Sequence, residues 1–146
     1  MKTLEEMYDE LEEKHIEVKE IDFGNKLGCI VSYKDNTTII LNKPNIANSK
    51  QEKRVIAEEK AHYDIGAMYP LDTPRDLVGK LEYKAIKRMY NEHIPHDELK
   101  KLYYENCSLN ELSEHFGMPI EDIILADFFY KNVENYDLGG NLYGYE

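Results

Sequence analysis

The chain has 146 residues, 42% of them hydrophobic and 32% charged, with 18 Lys+Arg against 29 Asp+Glu and a formal net charge of −11. That length and apolar content predict a single domain with a real core and exclude a disordered chain. No apolar run approaches the roughly 20 residues that a bilayer span needs. The N-terminal MKTLEEMYDELEEKH is acidic where a signal peptide has a basic start and an apolar stretch, so a cytoplasmic protein is expected.

Thr3-x-x-Glu6 is a capping box, and Leu4, Met7, Tyr8 and Leu11 follow at helical spacing, predicting a helix over 3–14. Three short β-type runs come next, Ile16 to Ile21, Gly28 to Tyr33 and Thr37 to Leu41. The turn residues between them, Phe23-Gly24-Asn25-Lys26 and Lys34-Asp35-Asn36, suggest a small antiparallel meander. Ser49-x-x-Glu52 opens a second helix expected to reach Ala67 or Met68, where Tyr69-Pro70-Leu71-Asp72 ends it. Thr73-Pro74-x-Asp76 starts a third, running to His93 before Pro95. Asp97 begins a short helix to Asn106, Ser108-x-x-Glu111 caps another to His115, and Pro119 precedes a last one to Lys131. The class is α+β: an N-terminal helix, a small three-stranded sheet, then a helical bundle in which 97–131 belongs to the same domain. Residues 1–133 form that domain, and 134–146, rich in Gly, Asn and Tyr, form a flexible tail.

Charge is unevenly spread. Residues 1–22 hold nine acids and three lysines, 23–95 nine acids and twelve bases, and 96–146 eleven acids and three lysines. An acidic chain without clustered Lys/Arg is a poor match for phosphate backbones, so no direct nucleic-acid binding is expected. Cys29 and Cys107 stand far apart with no CxxC or CxxH partner, which suggests neither a disulfide framework nor a cysteine zinc site. Cys29, within an apolar strand, reads as a small buried hydrophobe.

The near-neutral middle holds the candidate chemistry. In Val55-Ile56-Ala57-Glu58-Glu59-Lys60-Ala61-His62, Glu58 and His62 are four apart and share one helical face, the spacing of two metal ligands from one helix. Glu59 projects about 100° round the helix from Glu58, within reach of a catalytic water. Glu82, on the following helix, is placed to supply a third ligand. The structural alternative stays open: Glu58 and Glu59 pair with nearby lysines on a solvated face, and His62 is a half-buried polar residue.

Several segments together resemble the ImmA/IrrE family of zinc-dependent metallopeptidases, in particular its short members from phages and mobile elements. They are LEEKHIEVKEIDFG ahead of a sheet ending IILNK, the helix QEKRVIAEEKAHY, the segment EYKAIKRMYNEHIP and the closing SLNELSEHFGMPIEDI. The resemblance implies a zincin-like fold in which Glu58, His62 and Glu82 hold Zn2+ or another divalent metal, with Glu59 as general base. Tyr63 and His93 are weaker candidates for oxyanion support. The implied substrate is a helix-turn-helix repressor-type protein, cleaved at a peptide bond. Three departures from the family pattern stand out: Glu58 replaces the first histidine of H-E-x-x-H, as phage-type members often do, Lys60-Ala61 replaces an apolar residue and Gly, and Tyr63 stands where phage members often carry His. A carboxylate for an imidazole adds a negative charge to the ligand shell and weakens the metal as a Lewis acid. The function classes that remain are therefore a metallopeptidase and a catalytically weak or inactive, antirepressor-like adaptor acting by contact.

SLNELSEHFGMPIEDIILADFF also has a helix-turn-helix pattern, yet its second helix offers Glu121, Asp122 and Asp127 where base recognition needs Arg, Lys, Asn or Gln. Structural packing is the expected role, with a basic protein partner as a further reading. His15, His96 and His115 lie near element ends and read as surface or capping residues, whereas Tyr136, Tyr143 and Tyr145 of the tail lack helical periodicity and are open to a partner role.

Overall fold

A computed structural model describes residues 2–66 and 72–142. The described residues group into two compact units, 2–89 and 90–142, with the boundary inside one long helix. The elements follow the expected α+β order. In the first unit, α1 (Leu4–Glu13) starts at Thr3, whose side chain accepts from the Glu6 amide at 3.1 Å, and it buries Met7 and Leu11. Strands β1 (Ile16–Glu20), β2 (Gly28–Tyr33) and β3 (Asn36–Leu41) follow, then a short 3₁₀ turn at Lys43–Asn45. Next come α2 (Ser49–Asp64) and α3 (Arg75–His93).

The sheet is mixed, in the order β1-β3-β2, which corrects the antiparallel meander. Only the β2–β3 hairpin is antiparallel; β1 runs parallel to β3, with Val18 opposite Ile39. Strand β3, carrying Ile39, Ile40 and Leu41, thereby takes the centre, where Ile39 and Leu41 are fully buried. The connection after β1 is too long for a tight turn and crosses over the end of β3. Buried Asn42 ties it down, its side-chain amide donating to the carbonyls of Phe23, Gly24 and Lys26 at 3.3, 3.0 and 2.9 Å. That buried amide turns what reads as turn chemistry into an anchored crossover.

Helix α2 packs on β2 and β3. Its N-cap is Asn48, whose side chain accepts from the Gln51 amide at 2.9 Å, and not Ser49. Glu52 is consequently freed from a capping box; it is buried and takes hydrogen bonds from Tyr8 and Lys43. The helix ends at Asp64, short of Ala67, because Gly66 turns left-handed at φ 67°. Ala67, Met68, Tyr69, Pro70 and Leu71, named above as its end and stop, lie outside the described residues.

Gly28 sets how closely α2 approaches the sheet. A Cβ there would lie 2.5 Å from Val55 Cγ1 and 3.1 Å from the Ile40 carbonyl oxygen. Val55 is buried and branched at Cβ, so it has little freedom to withdraw. Gly28→Ala is therefore expected to cost about 1–3 kcal/mol, visible as a lower midpoint in denaturant unfolding; an unchanged midpoint would mean that α2 and β2 slide apart freely.

In the second unit, α4 (His96–Tyr104), α5 (Leu109–Phe116) and α6 (Ile120–Phe128) follow, and the chain continues as a π-helical turn over Phe129–Val133. The Ser108–Glu111 capping box forms in full, and Gly117 closes α5 in the left-handed conformation. Ile94, Leu99, Leu112, Phe116, Met118, Ile123 and Tyr130 are among its fully buried large side chains. Asp122 is buried, and Asp127 accepts from the Tyr103 hydroxyl and pairs with Lys131 at 2.9 Å. Beyond the helices Tyr136 stacks on His96 at 4.1 Å and Leu138 is buried; Tyr143 and Tyr145 lie outside the described residues. No helix among the described residues is long and apolar enough to cross a membrane.

Candidate functional site

Within the 2–89 unit an open cleft of about 730 Å³ runs between β2 and α2. One wall is the chain from Lys26 to Ser32; the other is the face of α2 bearing Arg54, Val55, Glu58, Glu59 and His62, with Glu82 of α3 alongside. Three of the four principal candidates are thus brought together by the 3.6-residue period of α2, and the fourth by the return of the chain along α3. Among the described residues β2 is an edge strand that pairs with β3, and its outer side runs beside these side chains.

His62 is the centre of the group. Its Nε2 lies 3.3 Å from Glu82 Oε2, and its Nδ1 lies 3.7 Å from Glu59 Oε2. The pull of Glu59, joined by that of Glu82, outweighs burial and raises the imidazole from 6.5 to about 8. At 3.7 Å the Glu59 contact acts through charge more than through a well-formed hydrogen bond. His62 is therefore a cation at neutral pH in this arrangement, held between two carboxylates. Glu59 itself is 9% exposed.

Glu58 is engaged elsewhere. Its carboxylate takes a charge-assisted hydrogen bond from Arg54, one turn earlier on α2. Burial raises its pKa; Arg54 opposes the rise, while the neighbouring carboxylates Glu59 and Glu82 add to it. Among the described residues no three His, Cys, Asp or Glu side chains stand together as a ready-made metal site. The donor chemistry nonetheless fits a divalent ion in part. Two N/O ligands of a tetrahedral zinc, each about 2.0–2.1 Å from the ion, stand about 3.3 Å apart. That is the separation of His62 Nε2 and Glu82 Oε2. Glu58, the third candidate donor, meets Arg54 through one of its two carboxylate oxygens.

Tyr63 is half-buried and does not line this cleft. His93 belongs to the 90–142 unit, where it is 1% exposed with Nε2 4.0 Å from Glu92 Oε1, and it too is absent from the cleft lining. Two cleft residues went unnoticed in the sequence. Arg54 was legible as the i−4 neighbour of Glu58, a spacing that pairs opposite charges on a helix. Cys29, which reads as a small buried hydrophobe, is instead half-buried and borders the cleft, because nothing in an apolar strand says which residue does so. The Cys29 thiol is pushed up by burial and by the charge of Glu59, which keeps it a neutral thiol near pH 7.

Comparison of the chain with family models, with curated proteins and with solved structures finds no match.

Proposed function

We propose that this cleft is the active site of a metallopeptidase of the ImmA/IrrE type, in which His62, Glu82 and Glu58 hold a zinc or similar divalent ion and Glu59 is the general base. The observation that carries the reading is the pairing of His62 Nε2 with Glu82 Oε2 at 3.3 Å, twenty residues apart in sequence, beside a nearly buried Glu59. A bound divalent ion would supply Lewis-acid polarisation of the scissile carbonyl. Glu59 would take the proton of the attacking water and return it to the leaving amine. The edge position of β2 among the described strands suits an extended peptide, which can add to it through main-chain hydrogen bonds and lie along the wall facing α2. The partner we propose is a repressor-type protein. The exposed side chains of α6, Glu121, Leu125 and Phe128, which are spaced to share one face, favour a protein partner over a phosphate backbone.

Glu59→Gln separates chemistry from binding. It keeps shape and a polar tip but removes the base, so metal content is expected to stay at the wild-type level while peptide-bond hydrolysis falls at least about 100-fold. Intact-mass analysis of a co-expressed repressor reads the second quantity. A second reading has its own support: the diversion of Glu58 to Arg54 fits a weak or inactive metal-binding adaptor that acts by contact. In that case Glu59→Gln leaves derepression of a repressor-controlled reporter intact.

A further inference from the structure

Within the 90–142 unit, the segment after the last helical turn lies along α4. His96, Lys100 and Tyr103 are four and three positions apart and so share one face of that helix. Each meets the segment in turn. The Tyr136 ring stacks on His96 with centroids 4.1 Å apart, a Cβ on Gly139 would lie 3.6 Å from Lys100 Cε, and one on Gly140 would lie 3.2 Å from Tyr103 Cβ. From His96 to Tyr103 the helix rises about 10 Å. That is within the roughly 14 Å that four residues of chain can reach. Tyr130 and Lys131 form the second wall: the Tyr130 ring lies 5.7 Å from that of Tyr136, and Lys131 donates to Asn141 Oδ1 at 3.2 Å. Leu138, 2% exposed, is the apolar anchor of the segment.

These contacts are selective in side chain and sparse in main chain. Among the described residues, the segment from Asn135 onward makes one main-chain hydrogen bond to the helices, from the Tyr136 amide to the Tyr130 carbonyl at 2.7 Å. The bond from the Gly139 amide to Asp137 Oδ1 at 2.8 Å is internal to the segment. A ring in a slot, one buried aliphatic side chain and a glycine pressed on a helix are how a groove holds a short peptide. Such a segment can leave without breaking any helix, which puts it at the low end of local stability. Its glycines are constrained on both sides: Gly139 is left-handed at φ 70°, and Gly140 leaves little room for a side chain against Tyr103.

We propose that the face of α4 bearing His96, Lys100 and Tyr103, walled by Tyr130 and Lys131, is a peptide-docking groove that residues 136–140 occupy in cis. Its ligand class is a short peptide of the pattern aromatic-x-Leu-Gly-Gly, and the segment acts as an autoinhibitory strap that such a peptide displaces. The groove stands independently of the metal-site reading above.

The probe is a fluorescein-labelled peptide of residues 134–141, titrated into the full chain as wild type and as Leu138→Ala and followed by anisotropy, with unfolding midpoints recorded for both. In wild type the strap competes at an effective concentration on the order of millimolar. Leu138→Ala removes the anchor of the strap while the peptide keeps its own leucine. Apparent affinity scales with the fraction of chains whose groove is empty, so the variant is expected to bind the peptide at least about tenfold more tightly than wild type. That gain is expected to vanish for a peptide carrying Gly140→Val. Gly140→Val in the full chain opens the groove in the same way and serves if Leu138→Ala folds poorly. Binding to a folded variant no tighter than to wild type overturns the inference. Hydrogen exchange on wild type gives a second readout: the Tyr136 amide is expected to exchange well before that of Leu102 within α4. Equal exchange of the two would mean that the segment leaves only when the unit unfolds, and overturns the inference without any variant.

Discussion

Protein purified without added metal is expected to carry about one zinc per chain, and His62→Ala is expected to carry none. The argument is one of donor loss. His62 is the only nitrogen in the group of candidate ligands, and it stands between Glu59 and Glu82. Removing it leaves carboxylates facing one another, a set better suited to magnesium or calcium than to zinc. Zinc affinity is expected to fall by at least about 100-fold, beyond the effect of losing a residue that only supports a ligand. The same geometry sets a pH dependence. A metal binds the neutral imidazole, and here the proton is held up to about pH 8 by Glu59 and Glu82. Zinc affinity should therefore rise as pH increases through 6 and 7 and level off above about 8, with close to one proton released per ion bound near neutrality. Elemental analysis of both proteins, with calorimetric titration in two buffers of different ionisation enthalpy, reads both quantities. Stoichiometric zinc in His62→Ala would place the metal elsewhere.

Lys60→Met is expected to be the most destabilising single change of charge in the 2–89 unit. Lys60 is 2% exposed, and its ammonium lies 2.9 Å from both Glu10 Oε1 and Asp64 Oδ2. Lys2 and Lys14 also reach Glu10, and Lys14 and Arg88 also reach Asp64, so α1, α2 and α3 share one ionic network. Breaking a buried pair by removing one partner costs about 3–5 kcal/mol. The cations that remain soften this toward the lower end, corresponding to a loss of about 10 °C in midpoint. The sign with pH follows from the carboxylates. Burial raises Glu10, yet hydrogen bonds from Lys2 and Lys60 outweigh it and hold the group near 2 from an ordinary 4.5. Asp64 is lowered in the same way, burial again being overcome by Lys60 and Lys14. A depressed carboxylate stabilises the fold above its unfolded pKa, and the contribution disappears as pH falls through the folded one. Wild type should thus lose stability between about pH 4.5 and 2. Lys60→Met should start lower at pH 7 and show a shallower acid limb. Thermal melts from pH 2 to 7 decide it; parallel curves would show that Lys60 acts by packing alone.

Lys60 also shows why a family pattern and a local reading say different things. By spacing it is the residue after the candidate base, where the family usually has an apolar side chain. Its burial is satisfied partly by Asp64, one turn on along α2, and partly by Glu10, fifty residues away in sequence. No periodicity in α2 contains that partner. Asn42 makes the same point for the sheet: the run Phe23-Gly24-Asn25-Lys26 reads as turn chemistry, and only the crossover past the end of β3 lets the Asn42 amide serve three of its carbonyls.

The sequence by itself determined the elements and their order, because capping residues, turn residues and apolar period act within a few positions of one another. It determined that Glu58 and His62 share a face of α2, a consequence of helical geometry alone. Tertiary structure decided what no local rule contains. It made β1 parallel to β3, with β3 at the centre burying Ile39 and Leu41. It brought Glu82 to 3.3 Å from His62, and it opened the cleft along β2 beside Glu59. The pairing of Glu58 with Arg54, by contrast, follows from helical spacing alone, since a guanidinium one turn away on the same face reaches the carboxylate without any change in backbone.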